Sequence, residues 1–148
     1  MNSNIVQEAV PMGRVTVEVK LANNREVQAA ELGKIPVEKV HRTTLNGTVD
    51  PGATYLVLPT AVADQLGLPR TRKATVTYGD RRSAERDMVG QVEVELMGRK
   101  STFDALFEPA RTTALIGAIV LEVLDLLVDC KKQQVYPRDP AGMTAEVE

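Results

Sequence analysis

The chain has 148 residues, of which 43% are hydrophobic and 26% are charged, a composition typical of one globular domain with a substantial core. Its 18 Lys and Arg residues and 20 Asp and Glu residues give a net charge of −2, which argues against a nucleic-acid partner because phosphates require a basic surface. Cys130 is the only cysteine and His41 the only histidine. An internal disulfide is therefore excluded, a Cys–His nucleophile and a zinc site are disfavoured, and we expect no metal or other cofactor.

The two ends of the chain have sequences that do not predict regular secondary structure. Residues 1–12 are interpreted as a flexible leader and residues 139–148 as a flexible polar tail, which leaves one domain over residues 13–138. The leader has neither the basic start nor the apolar core of a signal peptide, and the apolar stretches of the chain are too short to span a bilayer. The sequence therefore predicts a cytoplasmic protein without a membrane partner.

The first third of the domain alternates like β structure. "GRVTVEVKL" places apolar residues on one face and polar residues on the other, which predicts a half-buried strand. "EVQAAEL" is expected to be a second strand that closes a hairpin with the first. "KIPVEKVHRTTL" contains Pro36 and suits an edge or irregular strand, and Asn46-Gly47 predicts a tight turn.

The stretch "TLNGTVDPGATYLVLP" puts an acidic residue, Asp50, between a β-prone run and a strongly apolar run. Asp50-Pro51-Gly52 is good turn chemistry, because Asp caps a turn, Pro presets φ and Gly accepts positive φ. Taken alone, it predicts a hairpin turn. "TYLVLP" then predicts a short buried strand, and Thr60 is expected to cap a short helix that ends at Gly67.

The second half predicts a long hairpin and a strand–helix–strand unit. "KATVTYGDRRSAERDMVGQVEVELMG" alternates in both arms around a polar tip at residues 79–85, and "RKSTFDALF" pairs back across a turn at Gly98. "TTALIGAIVLEVLDLLVD" is divided by Gly117 into a strand at 113–116, a helix at 118–124 and a strand at 126–130. "QQVYP" is a final strand, so the chain is predicted to be mainly β with two short helices.

Several motifs occur along this chain in an order that is typical of one protein family. An Asp-x-Gly-Ala stretch is followed by a buried strand and helix, then by a hairpin with a polar tip, then by Leu115-Ile116-Gly117 at the start of a helix. This order resembles the single-lobe (retropepsin-like) aspartic proteases, and most closely the small prokaryotic retropepsin-like proteins. The resemblance extends from about Gly13 to Pro137 and rests on "VDPGATYLVLP", "LGLP", "YGDR", "VEVELMGRK" and "ALIGAIVLEVLDLLVD".

The resemblance implies a fold and an activity. The fold is a closed, barrel-like β fold with two short helices and one lobe per chain. The activity is that of an aspartic endopeptidase, in which Asp50 is catalytic and activates water for attack on a polypeptide substrate. The motif positions assign three groups of residues to the site: an active-site loop of Pro51, Gly52, Ala53 and Thr54; a substrate-binding flap of Tyr78, Gly79, Asp80, Arg81 and Arg82; and a structural support of Leu115, Ile116 and Gly117.

The other aspartates lack the sequence surroundings of Asp50, so a second catalytic carboxylate has to come from a second copy of the chain. The sequence therefore predicts a symmetric homodimer in which the two Asp50 side chains meet. Two carboxylates in contact share one proton, because like charges so close cannot both ionise. Sharing a proton would also make an acidic side chain tolerable between apolar strands.

Two departures from the family pattern leave alternatives open. Pro51 stands where the family has Thr or Ser, and it supplies neither a hydroxyl nor an N–H group. Ala118 stands where retroviral members have a basic residue. One alternative is a catalytically degenerate acid-protease fold that serves as a peptide-binding or dimerisation module. The other is an unrelated β-barrel in which Asp-Pro-Gly is only a turn.

Overall fold

The computed structural model describes residues 15–70 and 72–147. The described residues form nine strands, three short α-helices and one short 3-10 helix. In chain order these are β1 (Val15–Asn23), α1 (Asn24–Glu31), the 3-10 helix (Val37–Lys39), β2 (Arg42–Val49), β3 (Leu56–Pro59), α2 (Thr60–Leu66), β4 (Arg72–Thr77), β5 (Ser83–Leu96), β6 (Arg99–Glu108), β7 (Ala114–Ile116), α3 (Ala118–Leu124), β8 (Leu126–Asp129) and β9 (Gln134–Pro137).

Six strands close into a barrel. The hydrogen-bonded order β1-β2-β7-β3-β6-β5 returns to β1, because β5 pairs with β1 as well as with β6. β4 extends the sheet beyond β5, and β8 pairs with β9 in a separate two-stranded sheet. The prediction of a mainly β, closed barrel-like fold is confirmed at this level.

The core lies inside the barrel and beneath α2 and α3. Strand residues that point inward alternate with exposed ones, as the sequence pattern of β1 and β5 predicts. Each large aliphatic side chain that is removed from water there contributes about 1.5–3 kcal/mol. The largest fully buried side chains include Phe107, Leu21, Leu56, Leu58, Leu66, Leu96, Ile116 and Leu124.

The prediction of a strand over "EVQAAEL" is wrong. The prediction that the chain has two short helices is therefore wrong as well. This segment belongs to α1, a third helix that follows β1 directly. The side chain of Asn23 accepts a hydrogen bond from the Glu26 N–H and so caps the first turn. Alanine, glutamine and glutamate in the segment favour a helix, and the Asn-x-x-Glu spacing was the sequence signal for its start.

The prediction of a tight turn at Asn46-Gly47 is also wrong. Both residues lie inside β2, where Gly47 is opposite Val17 of β1 and Ala114 of β7. A Cβ atom at Gly47 would lie 2.8 Å from Cγ2 of Val19. Close packing against β1, rather than a turn, is therefore what requires glycine at this position.

The elements of the second half agree with the sequence pattern. β4 and β5 form the long hairpin, and β5 turns into β6 at Met97-Gly98, where both residues have positive φ. The strand, Gly117, helix and strand that follow are confirmed as β7, α3 and β8, and "QQVYP" is confirmed as β9. Thr60 is the first residue of α2 and not its cap, a position that Pro59 occupies.

The predicted leader, residues 1–12, lies outside the described residues. In the C-terminal region, both the main-chain N–H and the hydroxyl of Thr144 donate to the buried side chain of Asp125. No helix in the described part of the chain has the length and apolar character needed to cross a membrane.

Candidate functional site

The loop that carries Asp50 connects β2 to β3, two strands that are separated by β7. β2 runs parallel to β7 and β3 runs antiparallel to it, with Val57 opposite Leu115. Within the described sheet, β2 and β3 therefore do not pair with each other. The interpretation of Asp50-Pro51-Gly52 as a hairpin turn is wrong, because the strands on either side are not neighbours.

Main-chain hydrogen bonds attach this loop to the segment that joins β7 to α3. The Asp50 N–H donates to the Ile116 carbonyl at 3.0 Å, and the Ala118 N–H donates to the Ala53 carbonyl at 2.8 Å. These bonds satisfy backbone N–H and carbonyl groups of the loop that lie outside the strand ladders. They hold the main chain of the loop in place without using its side chains. Ile116, which we predicted to support the loop, contacts it directly.

Gly117 is required by the close approach of the loop. A Cβ atom at this position would lie 2.5 Å from the carbonyl oxygen of Tyr55 and 2.6 Å from the carbonyl carbon of Thr54. Its φ of −90° is open to any residue, so the restriction is one of space alone. The Ile119 N–H also donates to the Thr54 carbonyl at 3.0 Å, which keeps the two segments in contact.

Asp50 is a half-buried residue, and its loop orients the carboxylate. The Gly52 N–H donates to its Oδ1 atom at 3.0 Å, and the Ala53 N–H donates to the Asp50 carbonyl at 3.0 Å. Pro51 and Gly52 are exposed. A carboxylate with a defined orientation therefore lies beside an exposed surface of the chain.

The predicted flap is the turn of the β4–β5 hairpin. The Tyr78 N–H donates to the Arg82 carbonyl at 2.9 Å, and the Arg81 N–H donates to the Tyr78 carbonyl at 2.9 Å. The Asp80 carboxylate accepts from the main-chain N–H of Arg82 at 3.0 Å and from its Nε at 2.6 Å. These hydrogen bonds lower the pKa of Asp80, the main-chain bond being the larger cause.

A cavity of about 330 Å³ lies between the Asp50 loop and this hairpin. The loop contributes Ala53 and Thr54, the hairpin contributes Tyr78, and β7 contributes Leu115. The structure thus brings one or two residues of each predicted group to one cavity, whereas Asp50 itself is not among the residues that line it. The remaining lining residues are Tyr55, Val57, Val76, Thr77, Leu106, Glu108 and Arg111.

Glu108 and Arg86 are site residues that the sequence analysis missed. The Tyr78 hydroxyl lies 2.6 and 2.9 Å from the two carboxylate oxygens of Glu108, and the Arg86 guanidinium donates to the same carboxylate. The hydrogen bond to Glu108 is the main cause of a raised pKa at Tyr78 and at Arg86. No sequence signal marks this cluster, because Glu108 is 30 residues from Tyr78 and meets it only through the sheet.

The site offers carboxylates, a tyrosine hydroxyl, guanidinium groups and backbone groups. Across residues 15–70 and 72–147, no three His, Cys, Asp or Glu side chains cluster in a way that could hold a metal ion. His41 lies against the Glu26 carboxylate, with Nδ1 at 2.9 Å from Oε1, and so links α1 to the start of β2. The oriented carboxylate of Asp50 remains the best candidate for a reacting group.

Comparison with known proteins gives no independent assignment. No protein-family model and no curated protein matches the sequence of this chain. The resemblance to the retropepsin-like proteases therefore rests on the sequence motifs quoted above.

Proposed function

We propose that the protein is a cytoplasmic, homodimeric aspartic endopeptidase of the retropepsin-like type. The observation that carries the proposal is the setting of the Asp50 carboxylate. The Gly52 N–H orients it, and its loop is hydrogen-bonded to the β7–α3 segment. The same loop lines a cavity whose other side is the β4–β5 hairpin.

The reaction requires two carboxylates that share one proton, one from each subunit. The ionised carboxylate takes a proton from a water molecule as that water attacks the peptide carbonyl carbon. The protonated carboxylate donates its proton to the carbonyl oxygen, which gives a tetrahedral intermediate. Proton transfer to the amide nitrogen then allows the C–N bond to break, and the products are a carboxylic acid and an amine.

The second carboxylate is assigned to a second copy because the chain offers no equivalent of Asp50. Asp139 is the nearest match in sequence, since it too precedes a proline and accepts from a main-chain N–H two residues later, that of Ala141. Its carbonyl, however, accepts from Arg99, and it follows β9 rather than facing a strand–glycine–helix segment. Asp50 lies beside exposed Pro51 and Gly52, which a symmetry-related copy can approach.

The cavity supports a polypeptide as the substrate. Val57, Val76, Leu106 and Leu115 give it apolar walls of a size that suits one or two side chains of an extended peptide. Glu108 adds a charged group to this lining.

Pro51 favours a second candidate function, a catalytically degenerate fold that binds peptides or dimerises. A proline after Asp50 removes the hydroxyl that family members use across their dimer, at a cost of about 1 kcal/mol for each lost hydrogen bond. A groove and hairpin can bind a peptide without a working pair of carboxylates. In that case Asp50→Ala leaves peptide binding nearly intact and the parent protein cleaves nothing.

Subunit mixing tests the endopeptidase proposal. The parent protein should cleave a peptide library between about pH 4 and 7. Asp50→Asn should dimerise without activity. After subunit exchange in an equal mixture, about a quarter of the dimers carry two Asp50 residues, so activity per parent chain should fall by about half.

Asp139→Asn is the matched control, because it makes the same chemical change at a second Asp-Pro pair whose carboxylate also accepts from a main-chain N–H. It should keep full activity alone and in mixtures. A parent protein without detectable cleavage of the library, or an Asp50→Asn variant that still cleaves, would refute the proposed activity.

A further inference from the structure

The hairpin that covers the cavity projects beyond the barrel. β4 lies at the end of the sheet order and pairs with β5 from Arg72 opposite Met88 to Thr77 opposite Ser83. In the described strands, β5 pairs with β6 only from Met88 onward. Residues 72–87 therefore form a two-stranded arm whose outer part has no main-chain ladder to the barrel.

A polar cluster of Tyr78, Arg86 and Glu108 connects the outer part of this arm to the barrel. Tyr78 is at the turn of the hairpin, Arg86 is on β5 and Glu108 is the last residue of β6. Both the Tyr78 hydroxyl and the Arg86 guanidinium donate to the Glu108 carboxylate. The Glu108 side chain is only 17% exposed and that of Arg86 28%, so water competes weakly for these bonds.

The cluster also lies between two cavities. Tyr78 and Glu108 line the 330 Å³ cavity beside the Asp50 loop, and the same two residues line a second cavity of about 490 Å³. The hydrogen-bonded pair is therefore a wall that both cavities share. Pro109, Ser83 and Arg82 belong to the lining of the second cavity.

We propose that Tyr78 is a positioning residue whose hydrogen bond to Glu108 holds the hairpin closed, and that release of this bond joins the two cavities into one groove for an extended peptide. The inference rests on the proposed function, since it assigns the groove to the peptide substrate. Rotation of one side chain is enough to break the contact, whereas the main-chain ladder of the hairpin stays intact. Arg86 stays against Glu108 and supplies the charge opposite to the carboxylate when Tyr78 leaves.

Hydrogen exchange of the unliganded protein measures the closed state without any need for peptide cleavage. Tyr78→Phe removes only the hydroxyl, so the amides of residues 72–87 should exchange about fivefold faster. Glu108→Gln should have an effect at least as large, because it removes the charged acceptor of both Tyr78 and Arg86. Tyr136→Phe is the matched control, since Tyr136 is an exposed residue of β9, and its variant should exchange like the parent in residues 72–87.

Two further readouts separate positioning from general destabilisation. With a cleaved peptide, Tyr78→Phe should raise KM about fivefold and change kcat less than twofold, because an open hairpin retains substrate less well. The chain has three tyrosines and no tryptophan, so tyrosine absorbance can be followed up to high pH. The hydrogen bond to Glu108 raises the pKa of Tyr78, so the ionisation step of Tyr78 should be missing in Tyr78→Phe and move to lower pH in Glu108→Gln.

The outcomes for the hairpin and for the enzyme are distinguishable. Faster exchange of residues 72–87 in Tyr78→Phe supports the positioning role even if the parent protein cleaves no peptide, a result that contradicts only the proposed function. Equal exchange in Tyr78→Phe, Tyr136→Phe and the parent overturns the positioning role even if peptides are cleaved. A kcat loss without a change in KM also overturns it.

Discussion

The Asp50 loop and the turn of the β4–β5 hairpin face one cavity but are held in place by different bonds. Main-chain hydrogen bonds to Ile116, Ala118 and Ile119 fix the loop. A side-chain contact between Tyr78 and Glu108 connects the hairpin turn to the barrel. A main-chain attachment is not released by rotation of a side chain, whereas a side-chain attachment is, so we expect the Asp50 loop to be more rigid than the hairpin turn.

This difference decides how each region can be perturbed. No side-chain deletion removes the main-chain hydrogen bonds that attach the loop to the β7–α3 segment, so we displace the loop by added volume. The turn of the hairpin, in contrast, should open more readily when the Tyr78 hydroxyl is deleted, while Arg86 stays against Glu108.

The largest effect is expected from Gly117→Ala. The new Cβ atom would lie 2.5 Å from the Tyr55 carbonyl oxygen, a backbone atom that can move only if the loop moves. We expect a loss of about 3 kcal/mol or more in the free energy of unfolding, together with loss of peptide cleavage. Urea denaturation and the peptide assay measure the two effects.

Gly79→Ala provides the comparison within the hairpin turn. A Cβ atom at Gly79 meets nothing within 4 Å, so the free energy of unfolding should change by about 0.5 kcal/mol or less. Equal stabilities of the two alanine variants would show that the loop is not tightly packed against the β7–α3 segment.

A smaller, pH-dependent effect is expected at Asp125, which ends α3. Its carboxylate accepts from the Thr144 N–H at 3.0 Å and from Arg138 Nε at 2.7 Å, and these bonds lower its pKa, the Thr144 bond being the larger cause. Asp125 has a φ of 57°, which asparagine tolerates. Asp125→Asn should therefore lose the charge without added backbone strain and shift the urea midpoint at pH 7 by less than half the shift of Gly117→Ala.

The sign of the pH dependence follows from the lowered pKa of Asp125. Its contribution to stability is fully present above about pH 4, the ordinary pKa of an aspartate, and is lost as the pH falls through the lower pKa of the folded state. The stability gap between the parent protein and Asp125→Asn should therefore narrow below about pH 4 in urea denaturation. A gap that stays constant from pH 7 to pH 2 contradicts a role for the charge.

The smallest effect is expected from Pro51→Thr at the exposed surface of the loop. A threonine supplies the hydroxyl that members of the retropepsin-like family use for a hydrogen bond across their dimer. One such hydrogen bond contributes about 1 kcal/mol, which corresponds to about a fivefold lower dimer Kd. Sedimentation equilibrium measures this change. Pro140→Thr, at the other Asp-Pro pair, should leave the dimer Kd unchanged. Weaker association of Pro51→Thr contradicts a dimer contact at this residue.

Local sequence pattern was enough to predict the strand and the helix that contact the Asp50 loop. Gly117 breaks an apolar run into a strand and a helix, and both lie where the pattern placed them. The pattern failed for α1, whose apolar spacing is too weak to separate strand from helix, although Asn23 and Glu26 carried a capping signal. It also could not predict the contact of Tyr78 with Glu108, because that contact depends on the register of β4, β5 and β6.

The central claim is that the two Asp50 carboxylates of a homodimer share a proton, and a structure of the dimer near pH 5 tests it most directly. The account predicts the closest oxygens of the two side chains within about 3 Å of each other on the twofold axis. A dimer that holds the two Asp50 side chains apart, with bulk solvent between them, would contradict it.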